Sequence, residues 1–343
     1  MVNENAIIKA IRQSGSIIDS SLVGYKYVPD KNLFPPVKFI PGGYCLSFPL
    51  ECTGKPPKCL RLWYKNNGRP DNPSHIINVS NYFNKYHVEY VIPYKYVDPV
   101  LKLTDGTKIP GVVMEWIEGS TLMRFVKDNF NNKSTILSIA DKFYKMAQYH
   151  KKYGMAHGDL SDENIIVKPN GEIFLIDYDS FYTWDWDKNI PQSTVGVEWY
   201  QHPERMNGKS HYLNTSMDFF SQQVIYLSLL VIAEDPSLFK GDTEKGLLFK
   251  GGDFASLMSF KASHAYKKIS TLRNSEIHNR LYELERAVSG SLSEVRSIVD
   301  LNYSESIVIP VTKANYCGKC GYHFNNQTDD FCPMCGTKRE EIK

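Results

Sequence analysis

The run HGDLSDENIIV–KPNG–EIFLID (His157–Asp177) constrains this chain more than any other stretch. Asp159, Asp162, Glu163 and Asn164 place four acidic or carboxamide side chains within six positions. A helix-like run precedes them, so they belong to a loop. Ile165–Val167 reads as a short strand. Lys168–Gly171 (KPNG) contains Asn-Gly, a strong hairpin turn. Glu172–Asp177 is then the returning strand, and it ends in a new acid. The hairpin is expected to bring Asp177 back beside Asn164 and Asp159. Two acids and a carboxamide at one hairpin end make a hard-oxygen site. Such a site suits Mg²⁺, which binds through one or two carboxylates plus substrate phosphates.

The rest of the chain gives this loop its context. With 343 residues it can bury a large core and hold two domains, or one bilobal domain plus a module. Residues 1–33 read as an N-terminal extension with a short helix at Ala6–Arg12. Val37–Tyr64 reads as three strands with turns at Pro41–Gly43 and Thr53–Pro57. Ile76–Tyr86 reads as a helix, and Val88–Val97 and Ile109–Ile117 as further strands. In Thr135–Tyr153, residues Ile136, Ile139, Ala140, Phe143, Met146, Ala147 and His150 fall on one helical face. A β-rich first third before a helical remainder is an α+β pattern of two lobes.

Composition excludes some classes. The net charge of +2 creates no field that demands nucleic acid or membrane. The aromatic residues are scattered, as in an ordinary core. The N-terminus lacks the apolar run of a signal peptide. The longest apolar patch, Val224–Glu234, is too short to span a bilayer and reads as a buried helix. Three of the seven cysteines (Cys45, Cys52, Cys59) lie in strand-like sequence, where a thiol acts as a small hydrophobe. That usage predicts a reducing, cytoplasmic setting.

His157, Asp159 and Asn164 meet the pattern H-x-D-x-x-x-x-N, and with Asp177 in IDYDS they resemble the catalytic loop and metal-binding Asp of the protein kinase family. Met114–Gly119 (MEWIEG) is similar to the hinge between lobes, with Met114 at the gatekeeper position. Gln201–Arg205 (QHPER) stands where the activation segment ends, and Pro203–Glu204 match its Pro-Glu. Met217–Leu230 resembles the buried central helix, with Asp218 at its structural Asp. The likeness covers roughly residues 34–260, in the manner of a divergent, prokaryotic-type kinase.

The resemblance implies a bilobal kinase-like fold, with residues 34–118 as N-lobe and hinge and 119–301 as C-lobe with a helical extension. It implies ATP and Mg²⁺ as cofactors and transfer of the γ-phosphate to a protein hydroxyl, where positioning and charge stabilisation dominate. Asp159 would then accept or orient the acceptor's proton. Asn164 and Asp177 would hold Mg²⁺. The backbone of Glu115 and Ile117 would meet adenine, and the Gly42–Gly43 turn would cover the phosphates. Arg61 would neutralise them, with Lys58 as the second candidate.

Several positions depart from the family pattern. Arg61 stands where a Lys is usual, and the two are not interchangeable at a tight site. The helix expected to supply its Glu partner, Ile76–Tyr86, contains no acid. Gly158 replaces the HRD arginine, so no activation-loop phosphorylation switch is expected. Ser161 replaces the catalytic-loop Lys, and Asp179 the glycine of DFG. The spaced glycine loop is reduced to Gly42 and Gly43. These departures keep two alternatives open. One is a pseudokinase scaffold. The other is a small-molecule kinase of the aminoglycoside and choline type, which shares the HGD loop.

The tail is separate. CGKCGYHFNNQTDDFCPMCG (Cys317–Gly336) pairs two Cys-x₂-Cys knuckles, each followed by Gly. Cys317, Cys320, Cys332 and Cys335 fit a closed tetrahedral Zn²⁺ site, resembling a zinc ribbon over 316–343 after a linker at 302–315. So short a segment cannot build a core, so the metal would supply its folding free energy. Lys319, His323, Lys338 and Arg339 are too few to define a nucleic-acid surface. A protein partner or substrate is therefore the expected contact, with nucleic acid as an open alternative.

Overall fold

The computed structural model describes residues 2–34, 36–192, 195–208, 212–241, 245–301 and, in the tail, 312–313, 320, 331, 334–335, 337 and 341–342. Residues 1–301 form one compact unit and 302–343 another.

The first unit begins with helix α1 (Glu4–Ile11), capped by the Asn3 side chain, which accepts from the Ala6 amide at 2.9 Å. Six strands follow in one antiparallel sheet: β1 (Lys26–Tyr27), β2 (Ile40–Pro41), β3 (Cys45–Cys52), β4 (Lys55–Trp63), β5 (Tyr94–Lys102) and β6 (Lys108–Glu115). Their spatial order is β1-β3-β4-β6-β5, with β2 also paired to β3. Strand alternation sends Leu46, Phe48, Leu50, Leu60 and Leu62 into a core that α1 closes with Ile7, Ile8, Ala10 and Ile11. The segment read as an N-terminal extension is thus part of this lobe's core and, through β1, of its sheet.

Between β4 and β5 runs α2 (Pro73–Lys85), started by Pro73 at its first turn and by the Asn72 side chain accepting from the His75 amide. The strand expected over Val88–Val97 starts only at Tyr94. Pro93 lacks an N–H for the ladder, and Tyr90 has φ +63°, which breaks the extended run. Val91 instead makes an isolated parallel bridge to Leu175. The strand expected to reach Ile117 stops at Glu115.

The second lobe is helical, and its core joins α2 to the elements that follow. It contains β7 (Ser120–Thr121), α3 (Leu122–Asn129), α4 (Lys133–Lys152), β8 (Met155–Ala156), β9 (Ile165–Val167), β10 (Ile173–Leu175) and β11 (Tyr182–Thr183). Then come α5 (Pro203–Met206), α6 (Phe219–Glu234), α7 (Leu257–Ala262), α8 (His264–Ile269) and α9 (Ser275–Ser289). The seven residues assigned from sequence to one face of α4 are all buried. Helix α6 is buried on every side and packs against α4 and α9. After α9 the chain makes two 3₁₀ turns at Leu292–Glu294 and Ile298–Asp300, the first fixed by a Ser291–Glu294 capping box.

In the tail unit, β12 (Thr312–Lys313) pairs antiparallel with β13 (Glu341–Ile342). Cys320 and Cys335 are described, and Cys335 Sγ–H donates to Thr337 Oγ1 at 3.2 Å. Cys317 and Cys332 lie outside the described residues. Among the described residues no helix is long and apolar enough to cross a membrane.

Candidate active site

The loop between β8 and β9 is built around Asp218, just before α6. Its carboxylate, buried, accepts from the amides of His157 and Gly158, the latter at 2.9 Å. The backbone of the loop is thereby pinned from below by a charge-assisted pair of bonds. His157, also buried, bonds through Nε2 to the Ile176 carbonyl at 2.8 Å. That ties the loop to the far end of the hairpin.

The hairpin forms as the sequence predicts. β9 and β10 pair with Ile165 opposite Leu175, and the Ile176 amide donates to the Asn164 carbonyl at 3.0 Å. Asn164 Nδ2 donates to the Asp159 carbonyl at 2.7 Å, which orients the carboxamide within the loop. Asp177 follows Ile176 directly, so it stands at the same hairpin end as Asn164 and Asp159. Asp159, Asn164 and Asp177 are therefore brought together. Burial pushes the Asp159 carboxyl up to about 6, with His157 opposing and Asp177 adding to the rise. Asp177 adopts φ +68°, a left-handed conformation that Asp tolerates better than most residues.

Two of the four gathered oxygens go elsewhere. Asp162 is buried against Tyr200, and burial pushes its carboxyl up to about 7. Its carbonyl accepts from the Leu122 amide, so it braces α3. Glu163 is exposed. Local density of acids in the sequence overstated the site.

Arg61, near the C-terminal end of β4, is 9% exposed. It forks onto Asp179, Nη1 to Oδ1 at 3.1 Å and Nη2 to Oδ2 at 3.0 Å, while Nη2 also stands 2.9 Å from Asp177 Oδ1. Nε donates to Cys45 Sγ at 2.9 Å. Burial pulls the guanidinium pKa down, but Asp177 and Asp179 more than offset this and hold it well above the usual value. Burial likewise pushes the Asp179 carboxyl up, with Arg61 opposing. Lys58, the second candidate cation, lies mid-strand, its Nζ 4.0 Å from Glu115 Oε1. The structure thus brings Arg61, not Lys58, to the acids.

The remaining predicted residues lie at the β2–β3 turn and at the end of β6. Gly42 and Gly43 turn β2 into β3, and both carbonyls accept from the Tyr64 hydroxyl, at 3.0 and 2.8 Å. The Gly42 amide is spent on the Cys45 carbonyl at 2.8 Å, which reduces what the turn has to offer a phosphate. Glu115 ends β6 opposite Lys58, with Met114 opposite Cys59. The Trp116 amide donates to the Pro57 carbonyl, and Ile117 follows it out of the strand. Among the described residues no group of three His, Cys, Asp or Glu could hold a metal ion. The Asp159–Asn164–Asp177 set contains only two carboxylates and would need phosphate oxygens to complete a shell.

Two residues were missed from the sequence. Tyr178 fills the space between Asp177 and α2. Its ring lies 4.9 Å from Phe83 and 5.8 Å from His157, and its hydroxyl accepts from the Ile92 amide at 2.7 Å. Arg205, buried, donates to the Gly158 carbonyl at 2.8 Å and to Gln201 Oε1 at 2.5 Å. It brings a cation beneath a loop whose own arginine is absent. A charged residue in the segment QHPER, just before the apolar helix, was the only signal.

Residues 65–302 match the family model of the protein kinase domain, and the chain belongs to that family. The family implies ATP and Mg²⁺ as nucleotide and metal. Among curated proteins, the chain is similar to a probable serine/threonine-protein kinase HAL5-like of Vanderwaltozyma polyspora, 29% identical over 141 residues, 38% of this chain and 18% of that protein. It is also similar to serine/threonine-protein kinase HAL5 of Saccharomyces cerevisiae, 30% identical over 35% of this chain and 16% of that protein. A probable serine/threonine-protein kinase mkcB of Dictyostelium discoideum is 29% identical over 34% of this chain and 16% of its own length. The matched stretch therefore spans less than a fifth of these relatives. Strands β1–β4, with Gly42, Gly43 and Arg61, precede the matched residues.

Proposed function

We propose that this chain is an ATP- and Mg²⁺-dependent phosphotransferase that moves the γ-phosphate to a protein hydroxyl. The observation that carries the reading is the convergence of Asp159, Asn164 and Asp177 at one hairpin end, with Arg61 facing the two carboxylates of the returning segment. In this reading Asp159 orients the acceptor hydroxyl and takes its proton. A carboxyl near 6 is matched to that task. Asn164 and Asp177 would hold Mg²⁺, which would draw off charge from the phosphates. Arg61 would neutralise further phosphate charge, and the backbone of Glu115 and Ile117 would meet adenine. The serine/threonine kinase names of the relatives support a protein acceptor over a small molecule. The departures at positions 61, 158, 161 and 179 support a divergent member of the family.

Residues 316–343 would form a Cys₄ zinc ribbon that docks a protein partner or substrate. The support is the spacing and chemistry of Cys317, Cys320, Cys332 and Cys335, four thiolates with no open coordination position.

One observation favours a second reading, a nucleotide-binding scaffold with little transfer. Asp159 Oδ1 is buried and lacks a hydrogen-bond partner among the described residues. Gly196 packs directly over it, and a Cβ at Gly196 would also stand 2.7 Å from Gln201 Nε2. An acceptor reaches this Oδ1 only if the segment moves aside. Calorimetric titration of ATP with and without Mg²⁺, using Asp177→Asn as control, tests the shared core of both readings. Mg²⁺-dependent binding lost in the control is expected. Absence of binding by the unaltered chain would overturn both.

A further inference from the structure

Helix α2 runs PSHIINVSNYFNK and has no acid to offer Arg61. The cation is nonetheless fully anchored. Asp179 takes it by a two-bond fork, the geometry in which a guanidinium binds a carboxylate most strongly. Cys45 of β3 fixes Nε, and the Trp63 ring centroid lies 5.7 Å from the guanidinium carbon. Asp179 and Ile76 of α2 line the same small cavity beside Trp63, so the carboxylate occupies the space toward which the helix turns an apolar side chain. Asp177 shares Nη2 with Asp179.

We propose that Asp179 is the positioning residue for Arg61, replacing a helix carboxylate, and that it retains the guanidinium when Asp177 gives it up to coordinate Mg²⁺. This rests on the phosphotransferase reading. The arrangement explains both departures at once. A Lys has a single nitrogen and cannot grip the Asp179 carboxylate by a two-nitrogen fork. A glycine at 179 would leave a buried guanidinium with no acid of its own once Asp177 turned to the metal. The cation is tied to the segment that carries the metal ligand, so the position of α2 does not gate it.

The test is a pair of titrations on the full chain, ATP alone and ATP with Mg²⁺. Asp179→Asn should weaken ATP binding roughly tenfold or more in both, the loss expected when a charged hydrogen-bond partner is removed. Asp179→Glu should recover most of it. Asp177→Asn should remove only the Mg²⁺-dependent part. If Asp179→Asn also removes only that part, Asp179 is a metal ligand and the inference is overturned. If the unaltered chain binds ATP and Asp179→Asn matches it, the inference falls and the phosphotransferase reading stands. A urea-unfolding cycle of Arg61→Met with Asp179→Asn reads the pair without nucleotide. Coupling there supports the fork, and additivity overturns it. No ATP binding by the unaltered chain, with coupling intact, overturns the phosphotransferase reading and with it the role of the pair toward phosphate.

Discussion

Gly158 and Ser180 touch backbone to backbone. A Cβ on Gly158 would meet the Ser180 carbonyl oxygen well inside contact distance and stand 2.6 Å from the Ser180 Cβ. Gly158 also has φ +83°, a conformation L side chains rarely adopt. The departure from the kinase pattern at this position therefore has a steric cause. The catalytic loop and the start of the segment after Asp177 are packed too closely for any side chain. Gly158→Ala should destabilise the first unit by at least about 2 kcal/mol, combining strain and overlap. Urea unfolding measures this directly, and an unchanged midpoint would show that the loop relaxes freely.

Asp218 carries two buried amides. Asp218→Ala strands the N–H groups of His157 and Gly158, and each such loss costs about 1–3 kcal/mol. A total of about 2–6 kcal/mol is expected, with Asp218→Asn about half as costly because it keeps one acceptor oxygen. Equal stability of the alanine variant and the unaltered chain would refute this account of the loop.

His150 sets an acid limit. It is buried in α4, and neither ring nitrogen has a hydrogen-bond partner among the described residues. Burial lowers its pKa from 6.5 to about 4, with Asp218 opposing and His157 reinforcing. The unfolded chain then binds a proton that the folded one refuses between these values. Stability should fall as pH drops from about 6.5 toward 4, by up to roughly 3 kcal/mol for this residue. His150→Leu should flatten that limb without loss at pH 8. A parallel acid limb in the variant would assign the loss to other groups.

Zinc in the tail makes a separate prediction. Metal analysis should find one zinc per chain, and Cys332→Ser should abolish it. Chelation should unfold residues 316–343 while the unfolding midpoint of the first unit stays fixed. A full chain that carries no zinc after purification under reducing conditions would contradict the ribbon.

Much of this fold was legible in the chain. The 3.6-residue periodicity of α4 and the Asn170–Gly171 turn are local signals, and local signals dictated those elements. The strand lost at 88–93 was misjudged because Pro93 and the positive φ of Tyr90 outweigh a run of β-formers. In the site, spacing placed Asp159, Asn164 and Asp177 correctly relative to one another. It could not reveal that Asp162 turns to Tyr200, or that Asp179 holds Arg61 across 118 residues of chain. Pairings between distant segments carry no periodicity, and the missing helix acid only showed that a partner had to be found elsewhere.

The central claim is phosphoryl transfer, and the most direct measurement is movement of γ-labelled phosphate from ATP to protein in the presence of Mg²⁺. The unaltered chain should label an acceptor panel or itself. Asp159→Asn should lose at least about a hundredfold in rate, the usual contribution of a positioned base, while binding ATP as before. Label incorporation at an equal rate in Asp159→Asn, or none in the unaltered chain despite Mg²⁺-dependent ATP binding, would contradict it.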